Sequence, residues 1–554
     1  MKALVVGSGA GGAVAAMVLA EAGHDVVVFE KGDLWFDDLA AAAPRSRFSS
    51  DELKGARGFT LPDPVAEPRT YRKHATDAAP RHVGAVQDLP QTVGGGTVHW
   101  DAKTPRFWDI DFRKRSLLGP IDGADVDDWP FGYDEIAPVY DEVEELIGVA
   151  GDVDRLPAEP TLRHAPRNRP LPMPAGPPQL ASLLAAAGCE KVEPALRPFP
   201  VPMAINSVAY DGRPACNNCG QCSHHGCPIL ARTGALAPLR RAVLAGAEVR
   251  ARSWVVKVAV SGRRATGVTW LDVSGATHHE AGDVVVLACL AIETVRLALL
   301  SDLPDPHGTI GTHFMQHHFT NGTGIFLGQR LHGHRGRSTT HAMDDFADPD
   351  FPGARAAARA AGLPYLRGGT LELGGTQLPL GEASTYRELL RLLRPAKPFG
   401  ADLKELMRSS VLRDRMCGIQ MIGEDLAYRR NTVDLDPRVR DHRGLPVARI
   451  TYAPGPHELA AQKLYRPYVA EILRRAGATH VTAVPDSLPP TTKHVLGGMR
   501  MGTDPATSAT DGDGRYHHLD NLFVADGSVF PTSGAHNPTL TILATALRNA
   551  RRWI

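Results

Sequence analysis

An α/β fold is predicted for this chain, and three observations predict it. Near the N-terminus an apolar run, Leu4-Val5-Val6, meets Gly7-Ser8-Gly9-Ala10-Gly11-Gly12, then a small-residue helix, then Val26-Val27-Val28-Phe29-Glu30. Between 248 and 300, short β-branched segments precede a helical stretch. At 519–550 a strand, a turn and a last helix close the chain. Alternation of this kind at both ends of the chain implies a Rossmann-like dinucleotide-binding domain, discontinuous in sequence.

The first element is a βαβ start. In a Gly-x-Gly-x-x-Gly turn, Gly7 permits the tight bend, Gly9 lets the backbone approach a pyrophosphate and Gly12 lets the helix pack close to the strand. The helix N-terminus attracts phosphate charge, and Glu30 sits where it can accept from a ribose 2′-OH. The fingerprint alone does not separate FAD from NAD. Residues 33–90, rich in Pro, Asp and Arg, are expected to be irregular and to lie over the surface. A second glycine-rich element follows at 91–107, including Gly94-Gly95-Gly96-Thr97-Val98-His99-Trp100. A helix is expected from Tyr133 to about Ile147, where apolar residues recur near helical spacing. Strands are expected at Glu248–Arg250, Trp254–Val258, Gly267–Trp270 and Asp283–Leu287, then a helix from about Ala291 to Leu300. Residues 330–412, Arg-rich with a helical patch near 386–410, read as a lid or an insertion. Strand and helix alternate over 440–485. Last come the strand Leu522-Phe523-Val524, a turn at Asp526-Gly527 and a helix from Thr539.

Composition sets limits. A chain of 554 residues is too long for one ordinary core. Hydrophobic content of 43% and charged content of 22% are those of a globular protein. Lys+Arg and Asp+Glu are 61 each, so no net field favours nucleic acid or an anionic membrane. No apolar run reaches the roughly 18 residues of a membrane span. The first strand begins at once, so a cytoplasmic location is expected, although export with a signal-bearing partner would leave no trace. Seven cysteines, four of them clustered, do not form a secreted disulfide framework.

The C-terminal part carries His494-Val495-Leu496-Gly497-Gly498-Met499-Arg500-Met501-Gly502 and Asn521 through Ile542, including Ala535-His536-Asn537-Pro538-Thr539. With these segments, and with Trp129-Pro130 to Tyr140, Ile292-Glu293-Thr294 and Gly423-Glu424 to Leu435, the chain resembles the glucose–methanol–choline (GMC) oxidoreductases. These are FAD-dependent enzymes that oxidise alcohols and sugars. The segments at 92–107 and 129–151 are most similar to the glucose, gluconate and fructose dehydrogenase branch, and 97–107 also to pyranose oxidases. The resemblance implies FAD as cofactor and a small alcohol or sugar as substrate. It also implies transfer of electrons to a carrier protein or quinone, with dioxygen as the alternative acceptor. It divides the chain into a discontinuous Rossmann-like FAD domain at 1–115, 205–310 and 486–554 and an α+β substrate-binding domain built on a sheet at 116–204 and 311–485.

Oxidising a carbinol removes O–H as a proton and C–H as a hydride, so a base and a group that orients the hydroxyl are needed. His494 matches the family's catalytic histidine, and imidazole is neutral and basic near pH 7. Asn537 matches the second active-site position, where an amide can hold the substrate oxygen. His536 is adjacent and takes that role if the register is shifted, because neighbouring side chains rarely face the same way. The flavin-contacting set implied by the family is Gly7, Gly9, Gly11, Gly12 and Glu30; Gly94, Gly95, Thr97 and His99; Val256; and Asp526, Gly527, Asn537 and Thr539. The N-terminus of the last helix could aim its dipole at the flavin's N1–O2 edge. His99 falls where pyranose oxidases carry a histidine bound covalently to the flavin, although many relatives bind FAD without that bond. Where relatives have a glycine before Ile292, this chain has Cys289-Leu290-Ala291, and Leu290 adds bulk near the nucleotide.

Cys216, Cys219, Cys222 and Cys227, followed by Pro228, have spacing suited to an iron–sulfur cluster or a tetrahedral zinc. His224 and His225 are possible substitute ligands. Free thiols or a disulfide without metal are the other reading, because this spacing departs from that of the sugar dehydrogenase branch. A nicotinamide-dependent dehydrogenase or a non-catalytic nucleotide-binding protein would not need His494 and Asn537 together.

Overall fold

The parallel sheet at the centre brings the two ends of the chain together. Its strand order is Leu522–Val524, Val284–Leu287, Lys2–Val6, Asp25–Phe29, Glu248–Arg250, and every pair is parallel. Leu4, Val5, Val28 and Val285 to Leu287 are fully buried, as expected of strands covered on both faces. In the computed structural model the described residues are all of 1–554 except 42–43, 49–60, 88, 223–224, 376–382, 384–399 and 486–488. Helices Ala10–Glu21 and Thr539–Ala550 pack against each other beside this sheet. Strand Lys2–Val6 has Asp25–Phe29 on one side and Val284–Leu287 on the other. The strand order reverses there, and such a switch point is where open α/β sheets bind ligands.

Close packing fixes the glycines of the first turn. A Cβ on Gly11 would lie 1.4 Å from the Ala525 carbonyl oxygen, and one on Gly12 would lie 2.0 Å from that of Gly7. Gly7 itself has φ +102°, a conformation that favours glycine.

A second, antiparallel sheet has the order His480–Pro485, His318–Ile325, Met416–Gly423, Gly369–Leu373, His341–Met343, Phe199–Pro200. Helix Pro456–Arg475 covers one face. Leu371, Leu373, Ile419 and Met421 join Tyr465, Val469 and Ile472 of that helix in one core. Strand side chains alternate, so Phe319, Asn321, Glu372, Gln420 and Ile422 face the other way, into the cleft described below. Register places Gln420 between Asn321 and Glu372, directly opposite each.

Two expectations are corrected here. Residues 33–90 are not wholly irregular, because Arg69–Arg72 is a strand pairing in parallel with Pro446–Thr451 and antiparallel with His82–Gly84. Its parallel partner is nearly four hundred residues away, so local pattern carries no sign of that pairing. The 330–412 stretch is not merely a lid or an insertion, because His341–Met343 and Gly369–Leu373 are inner strands of the antiparallel sheet. Of its expected helical patch, Gly400–Ser409 is a helix; 386–399 lies outside the described residues.

Candidate active site

A cleft of about 510 Å³ lies between the two sheets and is lined from both. Among the residues singled out from the sequence, Gly7, Gly9, Gly11, Glu30, Gly95, Thr97, His99, His494, Asp526, Asn537 and Thr539 line it. Gly12, Gly94, Val256, Gly527 and His536 do not. Gly12 and Gly527 serve packing, since a Cβ on Gly527 would lie 2.7 Å from Leu496 Cδ2. Gly94 N donates to Ser8 Oγ at 3.1 Å. Val256 is a correction: Val255 lines the cleft in its place. Neighbouring strand residues point to opposite faces, and a register shift between Val255 and Lys257 decides which one turns inward.

At the nucleotide end Glu30 is held rigidly. Its Oε2 accepts from Ser8 N at 3.1 Å and from Ser8 Oγ at 2.7 Å, and its Oε1 accepts from Gly32 N at 2.9 Å. Burial raises the carboxyl pKa against these bonds. Ser8 was not singled out from sequence, yet it ties the first glycine turn to the second. Two helix N-termini open onto the cleft without caps. Neither Gly9 nor Pro538 offers a side-chain acceptor, and neither first turn carries an acid. Such ends leave backbone N–H groups that suit an anion or an electron-rich ring edge. A Cβ on Gly9 would meet only the Gly95 Cα, at 4.0 Å, so the cleft beside Gly9 stays open. These features fit a dinucleotide.

Asp526 organises the junction. Its Oδ2 accepts from Leu290 N at 2.8 Å and Thr294 Oγ1 at 2.6 Å, and its Oδ1 accepts from Ser528 N at 2.8 Å. Leu290 is thereby held at φ +69°, ψ 151°, a region costing a side-chain-bearing residue about 1–3 kcal/mol. Leu290→Gly is expected to raise unfolding free energy by about 1 kcal/mol once glycine's extra chain entropy is deducted. Denaturant titration of the FAD-loaded protein measures this, and unchanged or lower stability refutes the strain.

At the reacting end, a two-stranded ladder pairs Met315 with Leu496 and Gln316 with Val495. Continued one step, it sets His317 against His494, whose Nδ1 atoms are 2.8 Å apart. Burial, then His317 and Lys103, push the His494 imidazole well below its ordinary pKa, so it is neutral near pH 7. Asn537 Nδ2 donates to Glu372 Oε1 at 3.0 Å. Glu372 is also bonded to Lys103, which lies 3.0 Å from Asp101. Burial opposes the Lys103 charge, but the two carboxylates outweigh it and raise its pKa. Gln420 Nε2 donates to Asn321 Oδ1 at 2.6 Å. Sequence reasoning missed Lys103, Asn321, Glu372 and Gln420; for Glu372 and Gln420 the available signal was one strongly polar residue within an otherwise largely apolar strand.

His536 lies behind this site. It is fully buried against Trp108, with Nδ1 3.8 Å from Asp111 and Nε2 3.6 Å from Asp344. Those distances make ion pairs rather than hydrogen bonds. Burial opposes its charge, but Asp344 and Asp111 outweigh it, and the pKa is raised to about 9.

The metal expectation is not supported. All four clustered cysteines are free, and among the described residues no three His, Cys, Asp or Glu side chains are arranged to hold a metal ion. Burial raises the pKa of Cys219 and takes that of Cys222 to about 12. His224 lies outside the described residues. His225 instead contributes its carbonyl to Arg232, which also donates to the carbonyls of Cys222, Trp100 and Val98. One buried guanidinium thus clamps the cysteine loop to the segment carrying His99. Among the described residues no helix is long and apolar enough to cross a membrane.

Comparisons with known proteins agree with this geometry. The N-terminal GMC oxidoreductase model matches residues 203–319, the C-terminal one 427–546, and an NAD(P)-binding Rossmann-like model 5–35. Paromamine 6′-oxidase of Streptomyces fradiae is 30% identical, over 99% of this chain and 90% of its own. Fructose dehydrogenase large subunit of Gluconobacter japonicus is 26% identical, over 99% and 96%. 2-Methyl-1,2-propanediol dehydrogenase of Mycolicibacterium austroafricanum is 28% identical, over 98% and 93%. Among solved structures, pyridoxine 4-oxidase from Mesorbium loti shares the fold, with TM-score 0.61, 17% identity and coverage of 100% and 99%. Matched nearly end to end by such relatives, the chain belongs to the GMC oxidoreductase family.

Proposed function

We propose that the protein is an FAD-dependent enzyme oxidising a CH–OH group of a sugar or other polyol and passing the electrons to a carrier. The observation that carries this reading is one cleft that joins two uncapped helix N-termini to the His494–Asn537 pair. Gly7, Gly9, Gly11 and Glu30 would hold the nucleotide, and Asp526, Asn537 and Thr539 the far end of the cofactor. When bound, FAD supplies the hydride acceptor. His494 takes the hydroxyl proton, and the Asn537 amide, oriented by Glu372, holds the oxygen in place. The row Asn321–Gln420–Glu372 offers hydrogen bonds to several hydroxyls at once, which suits a polyol better than an apolar alcohol. Relatives named as oxidases and as dehydrogenases both match this chain, and dioxygen is the second acceptor to consider.

Fructose, gluconate, 2-methyl-1,2-propanediol and paromamine, added anaerobically to purified protein, form the test. The expected result is a flavin spectrum bleached by at least one of them and recovered faster with a quinone than with dioxygen. Acid precipitation of the same sample separates dissociable FAD from flavin fixed at His99. A colourless protein that takes up no FAD refutes the reading.

A further inference from the structure

We infer that His317 is a positioning residue that fixes His494 in the tautomer with its proton on Nδ1, leaving Nε2 as the proton acceptor. The inference rests on the reading of His494 as base and adds how that base is set. His317 is fully buried, so no solvent intervenes. Its Nε2 faces the Ser533 carbonyl oxygen at 3.2 Å. A carbonyl oxygen only accepts, so that nitrogen carries the ring's proton. In a neutral imidazole the other nitrogen is then an acceptor. His317 Nδ1 faces His494 Nδ1 at 2.8 Å, so His494 donates from Nδ1 and its Nε2 bears a free lone pair. The reverse assignment would place the lone pair of His317 Nε2 against the carbonyl in a buried site, leaving two acceptors face to face.

Charge supports the assignment. Burial takes the His317 pKa down to about 4, although the Ser533 and Gly534 carbonyls oppose the shift. The ring is therefore neutral, and an acceptor, at working pH. His536 and Glu424 are the other titratable groups felt by His317, and Lys103 and Asp101 those felt by His494. When the substrate O–H bond breaks and an Nε2–H bond forms, the resulting imidazolium still donates from Nδ1 to His317. No ring flip or proton hop is needed.

Long-range proton–nitrogen NMR of ¹⁵N-histidine-labelled, FAD-loaded protein reads this without a substrate. The His494 signals are those lost in His494→Gln. The expected wild-type pattern is a protonated Nδ1 and a bare Nε2. His317→Phe, which keeps the ring but removes the acceptor, should shift His494 to the other tautomer or to a mixture. His317→Asn, whose Oδ1 can take the place of Nδ1, should restore the wild-type pattern. In anaerobic reduction by whichever of the four named alcohols bleaches the flavin, the limiting rate should fall about 10²-fold in His317→Phe, with half-saturation little changed, and recover in His317→Asn. A wild-type His494 protonated on Nε2, or a His317→Phe protein with wild-type tautomer and rate, overturns the inference. The function reading fails separately, on retained bleaching in His494→Ala. If His317→Phe does not fold, the wild-type spectrum still decides.

Discussion

His494→Ala is expected to leave FAD bound and to slow alcohol-driven flavin reduction by about 10²–10⁴-fold, the usual contribution of a general base. His494 lines the cleft but is held by the His317 pairing and by the strand Val495–Leu496. Truncating it removes a proton acceptor without touching the glycine turn or Asp526. The visible spectrum of the variant should therefore match wild type while stopped-flow bleaching collapses. Because the imidazole pKa lies below its ordinary value, the acid limb of the wild-type rate profile should fall below pH 6.5. It should vanish in the variant. Wild-type bleaching by His494→Ala would remove this residue as the base.

His536→Asn should behave in the opposite way, with a large loss of stability. In the wild type a charged imidazole sits between the Asp111 and Asp344 carboxylates, all three being buried. Removing one partner of a buried ion pair costs about 3–5 kcal/mol, because the remaining charge is left uncompensated. The pH dependence has a definite sign. The folded pKa, about 9, lies above the ordinary 6.5, so the contribution is complete below pH 6.5. It is lost as pH rises through 9. That interval corresponds to about 3 kcal/mol. Denaturant titrations at pH 6 and pH 9.5 should show this loss in wild type and a smaller one in the variant, which separates His536 from other titrating groups. A wild type equally stable at both pH values, once the variant's slope is subtracted, would mean that the ring is not charged.

The adjacent positions His536 and Asn537 show what sequence could and could not reveal. The Gly-x-Gly-x-x-Gly turn with its flanking strands is local, and so are the last strand and helix. Periodicity and glycine chemistry are enough to place them. The choice between His536 and Asn537 turned on which side chain enters the cleft, and alternation alone left both open. Packing of His536 on Trp108, between two aspartates on distant segments, places it outside the lining. Cysteine spacing left metal and metal-free readings open in the same way, because four thiols close in sequence need not aim four sulfurs at one point.

By itself, the sequence determined the α/β class, the nucleotide turn and the family, because each is written in contiguous residues whose backbone conformation or short-range packing demands those types. Tertiary structure alone decided what surrounds the reacting atoms. Glu372 and Gln420 reach the cleft through strand register, Lys103 through a buried charge balance, and His317 through one further step of a two-residue ladder. Pairing register and burial depend on segments hundreds of residues apart, and no local pattern encodes which of them will meet.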